Sequence, residues 1–86
     1  MKKFIVNSAI LPGNVDPKNC AMDAPRMLMN AGVKNSKIIS CYCCGPEGRV
    51  VFVAEAEARE TLLTALNRIN VPVASIMETE EVKPKM

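Results

Sequence analysis

The stretch RVVFVAEA, residues 49–56, predicts a strand that is buried on both of its faces. Side chains point to alternate faces along a strand. Both alternating sets here are apolar, with Val50, Phe52 and Ala54 on one face and Val51 and Val53 on the other. The N-terminal stretch FIVNSAIL, residues 4–11, is also apolar at most positions of both faces. Two such strands belong at or near the centre of a sheet.

A helical pattern follows this strand and repeats an earlier one. The later stripe has apolar residues at i, i+4, i+7, i+8 and i+11, namely Ala58, Leu62, Ala65, Leu66 and Ile69. The same offsets occur earlier in Cys20, Ala24, Met27, Leu28 and Ala31. Each stripe ends in a residue suited to a left-handed helix cap, Gly32 in the first and Asn70 in the second. The chain therefore contains two half-repeats.

The first helix has one irregularity. Asp16 followed by Pro17 is a good N-cap and first-turn pair, but Pro25 lies well inside the stripe. Either the helix kinks there, or a short turn precedes a helix capped by Asp23. The stripe keeps its phase across Pro25, which favours the kink.

The order of elements predicts an α+β fold. Strand-like runs at 4–11, 37–44, 49–54 and 73–80 alternate with the two helices as βαββαβ. Right-handed crossovers then give one four-stranded antiparallel sheet with both helices on one face. Two helices leave the other apolar face uncovered. A second copy of the chain, packed sheet against sheet, would cover it, so we expect a homodimer.

Length and composition limit the class of protein. The 86 residues predict one domain, 1–86, with a charged C-terminal tail at about 80–86. A net charge of +2 with scattered basic residues argues against nucleic-acid binding. No apolar run approaches the ~20 residues of a spanning helix, so no membrane partner is expected. The opening MKKFIVNSAILPG reads as a strand rather than a signal peptide, which predicts a cytoplasmic protein with reduced thiols.

Three of the four cysteines lie together in CYCCGPEGRV, residues 41–50. Strand alternation places Cys41 and Cys43 on one face with Ile39, and Cys44 on the other. With Cys20 they form a candidate site for a soft divalent metal, nickel or zinc, but the chain has no His to complete it. Packing of the strand, with no cofactor, is the favoured interpretation, and a reactive thiol is a further alternative. The GPEG that follows predicts a type I turn with Gly48 in the left-handed conformation.

A small-ligand site is a separate hypothesis. Asn7 and Ser8 interrupt an apolar strand, and Tyr42 is the only tyrosine. A buried amide needs partners or a cavity. These three residues are the candidate ligand-binding side chains, and the alternative is that the polar pair is satisfied at a dimer seam.

The segment GRVVFVAEAEARETLLTALNRINVPVASIMETEEVKP resembles short stand-alone ferredoxin-like domains. In those domains a glycine turn leads to a strand ending in Glu-Ala, followed by a helix, a "lPv" turn and a last strand of the I-x-E-x-x-x-V-x-P kind. The opening KFIVNSAILPGNVDP is similar to theirs. Some members bind nickel, and related ones form the dimeric α/β-barrel group, whose sheets pair back to back. NAGVKNSKI and LLTALNRINVPVASI also resemble ACT-type regulatory domains.

Together these patterns predict a homodimeric binding module for a small ligand or a metal ion, rather than an enzyme. No carboxylate pair or nucleophile–base set stands at useful spacing. The alternatives are a small-substrate enzyme of the dimeric α/β-barrel type and an ACT-like regulatory domain.

Overall fold

The computed structural model describes residues 1–33 and 35–85. Its elements are β1 (Lys2–Ser8), α1 (Pro17–Asn30), β2 (Ser36–Cys44), β3 (Arg49–Ala56), α2 (Arg59–Arg68) and β4 (Val73–Thr79). The strands form one antiparallel sheet in the order β2-β3-β1-β4. This is the ferredoxin-like α+β fold, as predicted, with the two doubly apolar strands at the centre.

The core lies between one face of the sheet and the two helices. Alternate residues of the central strands are fully buried there, including Phe4, Val6 and Phe52. Leu28 of α1 and Leu62 and Leu66 of α2 pack into the same cluster. Because aliphatic side chains of this size each contribute about 1.5–3 kcal/mol when buried, the core depends on many modest contacts.

An irregularity in β2 changes which face its side chains occupy. Ile38 pairs with Ala54 and Ser40 with the preceding Val53, so Ile39 is an extra residue in the ladder. Ile39 is 45% exposed. The prediction that Ile39 shares a face with Cys41 is therefore wrong, because simple alternation fails across a bulge. Cys41 lies opposite the buried Phe52, on the face that the helices cover.

The helix caps agree with the sequence patterns. Asp16 caps α1, and its Oδ1 accepts a hydrogen bond from the Lys18 N–H at 3.0 Å. The helix continues through Pro25 to Asn30, so the alternative of a helix capped by Asp23 is wrong. Gly32 and Asn70 both have positive φ, 74° and 61°, as expected for left-handed caps.

The second face of the sheet, here called the open face, carries Ile5, Asn7, Tyr42, Val51, Val53 and Met77, with Lys3 and Glu55 at one end. No described element of this chain packs over it. Tyr42 and Met77 are 58% and 54% exposed, while the central Val51 and Val53 are half-buried by their neighbours. The open face is therefore an apolar band on the surface of the single chain.

Beyond β4, residues 80–85 are exposed and form no helix or strand. Among the described residues, no helix has both the length and the apolar character needed to span a membrane.

Candidate functional site

Three connections meet at one end of the sheet, here called the loop end: residues 9–16, 45–48 and 69–72. β1 and β2 run in the same direction, since both are antiparallel to β3, so they finish at this end. Backbone hydrogen bonds join the three connections. The Leu11 N–H donates to the Gly48 carbonyl at 2.8 Å, and the Ala9 N–H donates to the Pro72 carbonyl at 3.0 Å. The loop end is thus held together by its own backbone.

Ser8 links β1 to β3 at the loop end through buried hydrogen bonds. Its side chain is fully buried. Its hydroxyl donates to the Ala9 carbonyl and accepts from the Val50 N–H, both at 2.9 Å. The buried hydroxyl is satisfied without a ligand, which gives Ser8 a structural role between β1 and β3.

Asn7 and Tyr42 lie on the open face, away from Ser8. Asn7 and Tyr42 both flank Val51, one on each neighbouring strand. The Asn7 amide Nδ2 donates to Ser75 Oγ at 3.1 Å. The three residues predicted to bind a ligand therefore do not share one site, and a ligand role for any of them stays a prediction.

Cys20 and Cys41 both lie on the helix-covered face and are near enough to interact electrostatically. Cys20 is in the first turns of α1, at the loop end, and α1 packs on β2, the strand that carries Cys41. Both thiols are half-buried against the same hydrophobic core. The bulge at Ile39 turns Cys41 towards the helices.

The other two cysteines lie further along β2. Cys43 shares a face with Cys41 but is exposed at the strand end, and Cys44 pairs with Arg49 at the last position of the ladder. All four cysteines are free thiols. Within residues 1–33 and 35–85, no three Cys, Asp or Glu side chains converge in a way that could hold a metal ion.

The electrostatics of the thiol pair follow from burial and negative neighbours. Burial raises the pKa of Cys20 above the ordinary thiol value, and the Asp23 carboxylate raises it further. Burial also raises the pKa of Cys41, with repulsion from Cys20 as a second cause. Both thiols are therefore protonated at neutral pH and weak as nucleophiles. The same negative neighbours would stabilise a cation that replaced the two protons.

A cleft opens beside Cys20, between the β1–α1 connection, α1 and the α2–β4 connection. It consists of two adjoining hollows of about 400 and 420 Å³. Four residues line both hollows: Asn14, Val15, Cys20 and Asn70. The sequence patterns identify Asn70 only as a helix cap and do not single out Asn14. The available signal was the frequency of Asn in segments that flank the helices.

Comparisons with known proteins leave the family open. No family model and no curated protein matches the chain. The resemblance to nickel-binding or ACT-type domains therefore stays an expectation. Among solved structures, the chain is similar to an NMR structure of a heavy metal binding protein from Thermotoga maritima. The two share 26% sequence identity over 90% of this chain and 98% of that one, with a TM-score of 0.48. A TM-score below 0.5 is too low to support a shared metal site, so the function must come from this chain's own residues.

Proposed function

We propose that the protein is a homodimeric metal-ion-binding module that holds a soft ion between the Cys20 and Cys41 thiolates. The observation that carries this proposal is that two half-buried thiols, one on α1 and one on the inner face of β2, pack against the same core and interact electrostatically. Neither thiol is used in a disulfide. Two thiols on different elements can chelate a soft ion once the ion displaces both protons.

The number and chemical type of the available ligands indicate which ion would bind. Zinc and nickel sites usually take four ligands, whereas the described residues bring no three metal-ligating side chains together. Soft thiolates favour Cu(I) among the common first-row ions, and Cu(I) accepts two sulfur ligands. The Asp23 carboxylate, which disfavours a bare thiolate at Cys20, favours the positively charged ion. We therefore propose Cu(I) rather than nickel or zinc, the two candidate ions named from the sequence.

The dimer of this proposal forms through the open face. Its apolar centre, Ile5, Val51 and Val53, lies on the two middle strands and extends to Met77 at the edge. Packing against a second copy would remove this band from water. Cys20 and Cys41 lie on the opposite side of the sheet, so each chain would hold its own ion rather than share one across the dimer.

Competition for Cu(I) tests the metal site. Reduced, metal-free protein is titrated anaerobically with Cu(I) in the presence of a chromogenic Cu(I) chelator. We expect about one Cu(I) per chain, and at least a ~100-fold loss of affinity in Cys20→Ser and in Cys41→Ser because each removes one of two ligands. Cys44→Ser is the matched control, since it removes a thiol of the same strand and should leave the affinity unchanged.

The pH dependence of Cu(I) binding gives a second criterion. Both thiols have raised pKa values, so the ion must displace two protons near neutral pH. Affinity should fall as pH falls, by up to ~100-fold per pH unit when both protons are released. Equal Cu(I) affinity in wild type and the Cys41→Ser variant, or an affinity that is independent of pH, would contradict the site.

A further inference from the structure

We infer that the cleft beside Cys20 binds a small organic cation with an apolar body. The inference concerns a different ligand from the metal ion and stands on the lining of the cleft. Each of the two adjoining hollows has a volume of about 400 Å³, within the range of small-molecule sites. Apolar side chains form much of the wall, among them Val15, Met27 and Val71. Such a wall suits a hydrocarbon or aromatic body.

The charges of the residues that line the cleft favour a positively charged ligand. Asp16 and Asp23 line the hollow of about 400 Å³, and none of the described residues that line either hollow is a lysine or an arginine. The N-terminus of α1 also faces this region and carries partial positive charge. The Asp16 carboxylate already offsets this positive charge, because it accepts a hydrogen bond from the Lys18 N–H.

Asp23 is the lining carboxylate whose present partner a cationic ligand could displace. It forms an ion pair with Arg26 at 3.1 Å, but both side chains are well exposed, 48% and 69% respectively. A pair so exposed to water holds its partners weakly. A ligand ammonium entering the cleft can therefore approach the Asp23 carboxylate without breaking a strong contact.

Asn70 provides the second, independent reason. It has a φ of 61°, a conformation in which glycine carries no steric cost. The equivalent cap of the first half-repeat is Gly32, which shows that the turn itself needs no side chain. At residue 70 the chain instead has an amide that lines both hollows. The amide oxygen of Asn70, like that of Asn14, can accept a hydrogen bond from an ammonium group.

A pair of probes with matched bodies and opposite charge tests the inference. Metal-free, reduced, ¹⁵N-labelled protein is titrated with 2-phenylethylamine and, separately, with 3-phenylpropanoate. We expect saturable NMR shifts at Asn14, Asn19 and Asn70 with the amine, and binding at least ~10-fold weaker with the carboxylate. Equal binding of the carboxylate, or no saturable shift at these residues with the amine, would overturn the inference.

Substitution at the cap separates the amide from the fold. Asn70→Gly keeps the left-handed turn and removes only the side chain, so it should weaken amine binding by about 3–10-fold. Gly32→Asn, at the opposite end of α1 from the cleft, is the matched control and should bind the amine as wild type does. Undiminished binding by Asn70→Gly would refute the role of the amide.

The metal and amine proposals can fail separately. Cys41→Ser should lose Cu(I) and keep the amine, because Cys41 does not line either hollow. If this variant also loses the amine while its NMR spectrum stays folded, the cleft is not an independent site and the inference is wrong.

Discussion

Gly48 controls the β2–β3 turn through a single backbone angle. Its φ is 66°, and its N–H donates to the Gly45 carbonyl at 3.1 Å, which closes a short 3₁₀ helix, Gly45–Glu47, where the sequence predicted a type I turn. The Gly48 carbonyl also accepts the hydrogen bond from Leu11 that ties the turn to the β1–α1 connection. One residue thus joins two parts of the loop end.

We expect Gly48→Val to lower the free energy of unfolding by about 1–3 kcal/mol, because a β-branched residue is strained at this φ. Space is not the cause: a Cβ would stand 3.6 Å from Ile10 Cγ2, an ordinary contact. Urea denaturation measures the change. Gly13→Val is the control, since Gly13 has no positive φ and no neighbour within 4 Å of a Cβ. Equal stability of wild type and Gly48→Val would show that the turn is not strained.

At the scale of the element, α1 tolerates a proline in its interior. Pro25 has no N–H to donate to the carbonyl of Ala21, one turn earlier. Tertiary packing compensates, because Ala21, Ala24 and Leu28 are buried on both sides of Pro25 in the chain. The helix is therefore maintained by its buried face rather than by local propensity.

Replacing Pro25 should reveal this cost. We expect Pro25→Ala to raise the free energy of unfolding by about 1–2 kcal/mol, since the regained backbone bond outweighs the added flexibility of the unfolded chain. Pro17→Ala is the matched control: Pro17 stands at the first position of the helix, where no donor is needed, and should give no gain. A lower thermal midpoint for Pro25→Ala than for wild type would contradict this account.

At the scale of the whole molecule, the helices and the open face lie on opposite sides of the sheet. The thiols, the cleft and both helices are on one side, and the apolar band centred on Val53 is on the other. Association through the open face would therefore leave both candidate sites accessible.

Light scattering on the pure protein tests the dimer. We expect a dimer at tens of micromolar, and a shift to monomer in Val53→Lys, because an unpaired ammonium buried in the interface costs several kcal/mol. Met29→Lys is the control, since Met29 is an exposed apolar residue on the helix side and should leave the dimer intact. A wild-type monomer at this concentration would refute both the dimer and the covering of the open face.

The order of elements, the central strands and the caps at Gly32 and Asn70 could be predicted from the sequence. Each depends on a local rule. These rules are the two-residue period of strands, the spacing of apolar residues along a helix, and the backbone freedom of Gly and Asn. The same rules identified Ser8 as unusual, but not its two buried partners, which come from another strand and a neighbouring carbonyl.

Only the tertiary structure decided which cysteines lie on the same side of the sheet. From the sequence alone, Cys20 could lie over either face of β2. Simple strand alternation placed Ile39 on the same face as Cys41, which is wrong. The bulge depends on how β2 aligns with β3, residue by residue, and this register is set by long-range hydrogen bonds rather than by neighbours in the chain. The cleft has the same origin, because its walls come from α1 and two connections, β1–α1 and α2–β4, which are distant in sequence and pack together only when the sheet is complete.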